Sequence, residues 1–139
     1  MSAEFCDTNI FLYAFDLASP IKHARAQDLV NRIWQSGEGC LSVQVLQELY
    51  VNLTRKILVP LPPSEARNIV SDFTTWRVVE PKGSDVLSAI DLSIKSTISF
   101  WDALVVTAAQ RAHASILWSE DLDHGQDFDG VVVRNPFRD

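Results

Sequence analysis

Four acidic side chains stand in segments where a bound metal ion would find oxygen ligands: Asp7 in FCDTN, Glu48 in VLQELY, Asp102 in FWDALV and Asp121 in LWSED. Hard cations such as Mg²⁺ and Mn²⁺ prefer carboxylate oxygens and keep several waters. Two such ions can activate a water and stabilise the leaving oxygen of a phosphodiester. Converging carboxylates repel one another, so such a cluster normally requires a metal ion or raised pKa values. The chemistry that these residues favour is metal-assisted hydrolysis.

Asp7 and Asp102 also have purely structural interpretations. Asp7 ends an apolar run that is predicted to lead into a polar turn, and it could act as a helix N-cap or close an Asx-turn. Ser99 and Asp102 have the spacing of a capping box, in which the acid at the third helical position bonds back to the cap. Taken one at a time, neither residue distinguishes a ligand from a cap.

Glu48 and Asp121 also have structural interpretations when each is considered alone. Glu48 shares a helix face with other polar residues, a pattern typical of solvated side chains. Asp121 lies in the segment SEDLDHG, where acidic residues are common in turns. Glu120 and Asp123 in the same segment compete for its role.

The elements that would position these acids alternate between short β-like runs and amphipathic helical stretches. Strands are predicted at Glu4–Asp7, Cys40–Ser42, Arg77–Val79, Ser115–Trp118 and Val131–Val133, and helices at Lys22–Gln35, Val43–Lys56, Ser84–Ser96, Phe100–Ala112 and after a Ser64 cap. Strands separated by helices predict an α/β fold with a parallel sheet covered on both faces. Ligands bind such sheets beyond the carboxyl ends of the strands, where the strand order reverses. Three of the four acids occupy a strand end or a helix start.

Length and composition set limits on this interpretation. The chain has 139 residues, the usual size of one domain, and 47% of them are hydrophobic, enough for a sizeable core. The net charge of −6 disfavours extended non-specific binding to nucleic acid, which depends on neutralised phosphates. A phosphodiester substrate would therefore be held by metal ions and a few arginines.

The hydropathy pattern, the N-terminal residues and the two cysteines predict an intracellular protein. No apolar run has transmembrane length, and the start MSAEF has no basic region followed by an apolar stretch, so we expect a cytoplasmic location. Cys6 and Cys40 are expected to be buried and reduced. Without a C-x-x-C pair, a structural zinc site is not predicted.

Four segments of the chain resemble the PIN-domain family in its bacterial VapC-like toxin branch: FCDTNIFLYAFD, LSVQVLQELYVNL, FWDALVVTAA and LWSEDLDHGQDFDGVVVRNPF. They occur in the order of the family and span nearly the whole chain. The D-T-N-x-x-x-Y start and the F-W-D-A-L element are the most specific parts. The resemblance implies a single PIN domain over residues 1–139, with a Rossmann-like three-layer α/β/α sandwich around a mainly parallel sheet.

The same resemblance implies a function and a set of site residues. It implies an endoribonuclease dependent on Mg²⁺ or Mn²⁺, acting on RNA as the toxin of a toxin–antitoxin pair, with a cognate antitoxin and a homodimeric state. The catalytic and metal-binding acids of the family carry over to Asp7, Glu48, Asp102 and Asp121. Asn9 matches a polar position beside the first acid. Ser119 matches a Thr or Ser two residues before the last acid, which is the most variable of the four in the family.

Other functions are weaker matches. A non-catalytic PIN-like domain that binds RNA or protein predicts the loss of one or more acids, yet all four are present. A phosphatase of the haloacid dehalogenase type needs D-x-D near the first strand, and this chain has Asp7-Thr8-Asn9 there. A flap-type DNA nuclease usually carries more acids on a longer chain.

Several apolar residues near the acids have an open interpretation. Trp101 could stack on a base, but it follows Phe100 at the start of an apolar helix, and we predict that it belongs to the core. Leu12, Phe15 and Leu17 follow the first acid and could form a groove for an antitoxin helix, a dimer surface or ordinary core.

Overall fold

The computed structural model describes residues 2–138, which form six strands and six helices, with a pair of helices after each of the first three strands. The strands are β1 (Ala3–Cys6), β2 (Gly39–Ser42), β3 (Arg77–Val79), β4 (Ala114–Trp118), β5 (Asp127–Phe128) and β6 (Val131–Arg134). The helices are α1 (Thr8–Tyr13), α2 (Pro20–Ser36), α3 (Val43–Arg55), α4 (Pro63–Phe73), α5 (Gly83–Ser96) and α6 (Phe100–Arg111). The ends of the domain expected from the sequence, residues 1 and 139, lie outside the described residues.

The strands form one sheet in the order β3-β2-β1-β4-β6-β5. All neighbouring strands are parallel except β5, which pairs antiparallel with β6 at the edge. The chain steps outward from β1 to β3 and then returns to place β4 on the other side of β1. The strand order therefore reverses between β1 and β4, and the crevice for a ligand lies beyond their carboxyl ends.

Helices cover both faces of this sheet. Right-handed crossovers place α1 to α4 on one face and α5 with α6 on the other. Helix α6 packs on β2, β4 and β6, and its residues from Ala103 to Ala109 are buried apart from Leu104. The predicted α/β sandwich with a mainly parallel central sheet is thus confirmed.

Side-chain caps start the two helices that carry predicted acids. Ser42 ends β2, and its hydroxyl accepts a hydrogen bond of 3.3 Å from the Val45 amide of α3. Ser99 does the same for α6, accepting from the Asp102 amide at 3.0 Å. Each cap satisfies an amide that has no partner within its own helix.

Two local predictions were wrong, and one strand was not predicted. Residues after Asp7 were expected to form a polar turn, but Thr8–Tyr13 is a helix, too short to show a periodic pattern. The two-residue strand β5 was not predicted, because its pairing with β6 forms only in the tertiary structure. Ser64 was expected to cap helix α4, but the helix begins at Pro63 with no side-chain cap, so Ser64 lies inside it. Proline suits the first helical position because its φ is already helical and it has no amide hydrogen that would need a partner.

The two cysteines lie on adjacent central strands. Cys6 on β1 and Cys40 on β2 are buried and free, as predicted. Burial raises the pKa of both thiols, that of Cys40 to about 12, so both stay protonated at neutral pH. Among residues 2–138, no helix is long and apolar enough to cross a membrane.

An aromatic cluster packs beside the start of β2. The rings of Phe11, Trp34, Phe73 and Trp76 contact one another with centroids 4.6 to 5.5 Å apart. Gly39 is buried beneath it, and a Cβ atom there would lie 2.5 Å from the Trp76 ring. The absent side chain of Gly39 therefore makes room for the indole.

Gly39→Ala should destabilise the protein by about 1–3 kcal/mol, because a methyl group in this packed space forces the Trp76 ring to move. Gly83→Ala is the matched control, since a Cβ atom at Gly83 meets nothing within 4 Å. Thermal and urea unfolding measure both. Equal stability of the two variants would show that the aromatic cluster adapts freely.

Candidate active site

The four acids predicted from the sequence line one pocket of about 70 Å³ beyond the carboxyl ends of β1 and β4. Asp7 directly follows β1, Glu48 lies on α3, Asp102 lies in the first turn of α6, and Asp121 follows β4. Asn9 also lines the pocket, while Ser119 is fully buried beside it. The fold thus brings together side chains separated by more than one hundred positions along the chain.

Asp7 lies at the bottom of the pocket, and its side chain is held from two directions. It is only 6% exposed. One carboxylate oxygen accepts from the Thr8 amide at 2.7 Å, and the other accepts from the Ser119 hydroxyl at 3.0 Å. Because Ser119 follows β4, the second bond spans the point where the strand order reverses.

The charge of Asp7 is strongly disfavoured in the metal-free protein. Burial, together with the smaller effect of the neighbouring charges of Asp121 and Glu48, raises its pKa to about 7. The hydrogen bonds from Thr8 and Ser119 act in the opposite direction but are outweighed. A cation in this pocket would favour the ionised form of Asp7.

Asp121 is held by two residues that the sequence analysis placed at the site. Its carboxylate accepts from the Asn9 side-chain amide at 3.1 Å, and its backbone amide donates to Ser119 Oγ at 3.2 Å. Ser119 therefore connects Asp7 to Asp121. The pKa of Asp121 is raised by partial burial and by the charges of Asp102 and Glu120.

Glu48 and Asp102 present carboxylates to the pocket in different ways. Glu48 accepts a hydrogen bond of 3.0 Å from the Thr8 hydroxyl, a contact that sequence reasoning missed although Thr8 stands between two predicted site residues. Asp102 is joined to Ser99 through its backbone amide alone, so the capping box is half formed. The Asp102 carboxylate is not occupied by the cap and lines the pocket.

The structure distinguishes Asp121 from its two competitors. Glu120 forms an ion pair with Lys22 and accepts from the Tyr13 hydroxyl at 2.9 Å, away from the pocket. Asp123 is not among the residues that line the pocket. Asp121 is the one acid of this segment that reaches the pocket, among the residues described.

Trp101 corrects a prediction. It was expected in the core, yet it is 63% exposed and lines the acidic pocket. Side chains of a helix tilt toward its N-terminus, so a first-turn residue of α6 extends past the sheet edge, and complete burial on α6 begins only at Ala103. The apolar run in the sequence does not indicate which residues of α6 extend past the edge of the sheet.

The donors around the pocket suit a hard divalent cation. Its described lining offers carboxylate, amide and hydroxyl oxygens and contains no lysine or arginine. The Gln44 side-chain oxygen is buried without a hydrogen-bond partner, so one further acceptor is available. Within residues 2–138, however, no three carboxylate, imidazole or thiol groups already form a ligand set. In their chemistry, the residues fit such a cation.

Comparisons with known proteins agree with this architecture. The family model described as PIN domain matches residues 5–127. The fold is similar to that of a toxin–antitoxin complex from Klebsiella pneumoniae, with TM-score 0.69, 17% identity, and 97% of this chain and 98% of that chain covered. VapC20 of Mycobacterium tuberculosis, described as a sarcin-ricin loop cleaving toxin, matches with TM-score 0.66, 18% identity, and 86% and 90% coverage.

A third solved structure, DNA-bound VapBC from Salmonella typhimurium, matches with TM-score 0.65 at 17% identity, covering 98% of this chain and 99% of that chain. No protein of curated function matches the chain in sequence. Because the family model covers most of the chain and includes all four acids, this protein belongs to the PIN domain family.

In the presence of a chelator, Asp7→Asn should be more stable than wild type at about pH 8, and the gain should shrink toward about pH 5. The pKa of Asp7 in the folded protein, about 7, lies above the ordinary value of 3.8. The stability contributed by this carboxyl is therefore complete below about pH 4 and is lost as pH rises between these two values. Above about pH 7, the free energy of unfolding of Asp7→Asn should exceed that of wild type by about 2–4 kcal/mol.

Chemical unfolding across pH measures this difference, with Asp91→Asn as the control for losing one exposed acid on α5. A difference between Asp7→Asn and wild type that stays constant with pH would contradict the raised pKa.

Proposed function

We propose that this protein is an endoribonuclease that depends on Mg²⁺ or Mn²⁺ and hydrolyses RNA phosphodiester bonds. The observation that carries the proposal is the convergence of four carboxylates on one pocket whose described lining has no cation. Such a pocket can approach a phosphate only when metal ions reverse its charge. The choice of RNA is supported by membership of the PIN domain family and by the similarity to a toxin described as cleaving the sarcin-ricin loop.

Each site residue has a role in this proposal. Asp7, Glu48, Asp102 and Asp121 bind the metal. Bound metal would supply a Lewis acid for the phosphate and a water of lowered pKa. Ser119 holds Asp7 and the Asp121 backbone in one orientation, and Asn9 orients the Asp121 carboxylate. Asp7 is the most constrained of the four acids, so its geometry tolerates the least change.

Asp7→Asn and Asp102→Asn should each reduce RNA cleavage by about a hundredfold or more, because each removes a charged ligand from the metal-binding set. Asp121→Asn should be milder, about tenfold, since a peripheral ligand can be replaced by water. The measurement is cleavage of total cellular RNA by purified protein with Mg²⁺, with Mn²⁺ and with a chelator.

Glu120→Gln is the matched control, because Glu120 is adjacent in sequence but faces Lys22 and Tyr13. It should retain nearly full activity at temperatures where the variant is folded. Cleavage that persists in chelator, or that survives Asp7→Asn, would overturn the metal-dependent mechanism. RNA binding without any cleavage would instead favour the alternative, a non-catalytic PIN-like domain that binds RNA or protein.

We propose further that the protein is a single-domain, cytoplasmic toxin that forms a homodimer and is held inactive by a cognate antitoxin. The similarity in fold to toxins described in complexes with antitoxins supports this. Of the three apolar residues suggested for antitoxin contact, Leu12 and Phe15 pack partly against the core, and only Leu17 is largely exposed, at 61%. Of the contact surface suggested by the sequence, Leu17 is therefore the residue that remains largely available to a partner.

An antitoxin can block such a pocket by inserting an arginine. The guanidinium group keeps its charge and pairs with carboxylates in a forked geometry, so it would replace the metal as counter-ion. The absence of lysine and arginine from the described lining leaves the acids of the pocket available for this pairing.

Expression of the protein alone should slow bacterial growth, and co-expression of the protein encoded immediately upstream should restore it. The purified complex should be inactive and should bind Mn²⁺ more weakly, because the inhibitor competes for the same carboxylates. Growth rate, RNA integrity and Mn²⁺ titration are the measurements, with Asp7→Asn as the non-toxic control. If wild-type protein at high level neither slows growth nor cleaves RNA, the toxin proposal fails and the fold assignment remains.

A further inference from the structure

Trp101 leaves most of a large apolar ring in water at the edge of the acidic pocket. It is the most exposed of the four tryptophans, at 63%; Trp34 is exposed to 42%, and Trp76 and Trp118 are partly buried. Burying an indole is normally favourable, so one left exposed next to a candidate active site suggests a surface for a ligand.

The backbone and one side of Trp101 are supported by neighbours. The Phe100 ring packs edge-on against it, with centroids 5.1 Å apart and planes at 74°. The Gln44 side-chain amide donates to the Trp101 carbonyl at 3.4 Å, which ties the start of α6 to α3. Asp102 follows directly in the same helical turn, and both residues line the pocket, so the indole lies at the site of a proposed metal ligand.

The described pocket lining consists of acidic and uncharged side chains, so the Trp101 ring can provide a substrate contact that does not depend on a cationic side chain. Metal ions would hold the scissile phosphate, but the described lining has no cation for flanking phosphates. Within the pocket, binding energy for the rest of a nucleotide can then come from an uncharged contact. Stacking of a base on an aromatic ring is such a contact, and it needs no particular base.

We propose that Trp101 is the stacking platform for an unpaired base next to the scissile phosphate. This proposal rests on the proposed endoribonuclease function and adds a binding residue to it. A base within a duplex is already stacked on its neighbours, so the platform selects unpaired nucleotides. Trp101 would thus contribute to substrate binding and Asp102, the next residue, to metal binding.

The test compares Trp101→Ala, Trp101→Phe and Leu87→Ala with wild type in steady-state cleavage of a short single-stranded oligoribonucleotide of mixed sequence. Trp101→Ala should raise KM about tenfold or more and change kcat by no more than about threefold. Trp101→Phe keeps a ring and should recover most of the loss. Leu87→Ala, which removes an apolar side chain 65% exposed elsewhere, should match wild type.

A second readout does not depend on cleavage. The same oligoribonucleotide should quench tryptophan fluorescence of the Asp7→Asn protein, and the quenching should disappear when Trp101→Phe is added. The duplex form of the oligonucleotide should quench less. The other three tryptophans are retained in both proteins, so the difference reports on Trp101.

The outcomes separate this proposal from the proposed function. If wild type cleaves RNA but Trp101→Ala has the KM of Leu87→Ala, stacking on Trp101 is refuted and the nuclease stands. If no RNA is cleaved but the quenching depends on Trp101, the platform stands and the nuclease fails. If Trp101→Ala changes the oligomeric state by size-exclusion chromatography with KM unaltered, Trp101 belongs to a protein contact, which also refutes the proposal.

Discussion

The hydrogen bond from Ser119 to Asp7 joins the ends of two central strands and is the contact on which the site depends. Asp7 follows β1 and Ser119 follows β4, and these strands are neighbours only because the chain reverses its direction of travel across the sheet. The same hydroxyl accepts from the Asp121 amide, so one buried serine sets the relative positions of two acids. A substitution that moved β4 relative to β1 would disturb both acids at once.

Burying Asp7 is unfavourable for folding in the absence of metal, and the surrounding structure offsets that cost. Its pKa is raised from the ordinary value of 3.8 to about 7, so stability is lost as pH rises between these two values, and the full cost is present above about pH 7. The parallel strands, the covering helices and the aromatic cluster around Trp76 supply the compensating stability through apolar burial. Destabilised groups of this kind are concentrated at functional sites, where binding of a ligand recovers the energy.

Short hydroxyl side chains orient the acids without adding charge. Thr8 donates a hydrogen bond to Glu48, and Ser119 donates one to Asp7, and both donors are uncharged. Glu120, which precedes Asp121 in the sequence, has a cationic partner in Lys22 and is directed away from the pocket. Under the proposed function, this distribution leaves the negative charge of the pocket for metal ions and the uncharged surface of Trp101 for the remainder of a substrate.

The sequence by itself determined the alternation of strands and helices, because hydrophobic periodicity and capping residues are local signals. It also indicated the four acids, through their places at strand ends and helix starts and through the resemblance to the PIN domain family. The tertiary structure alone decided that Asp121, and not Glu120 or Asp123, reaches the pocket, that Thr8 supports Glu48, and that Trp101 lies on the rim. Each of these depends on contacts between elements distant in sequence, and a periodic pattern cannot specify where a helix ends relative to the sheet edge.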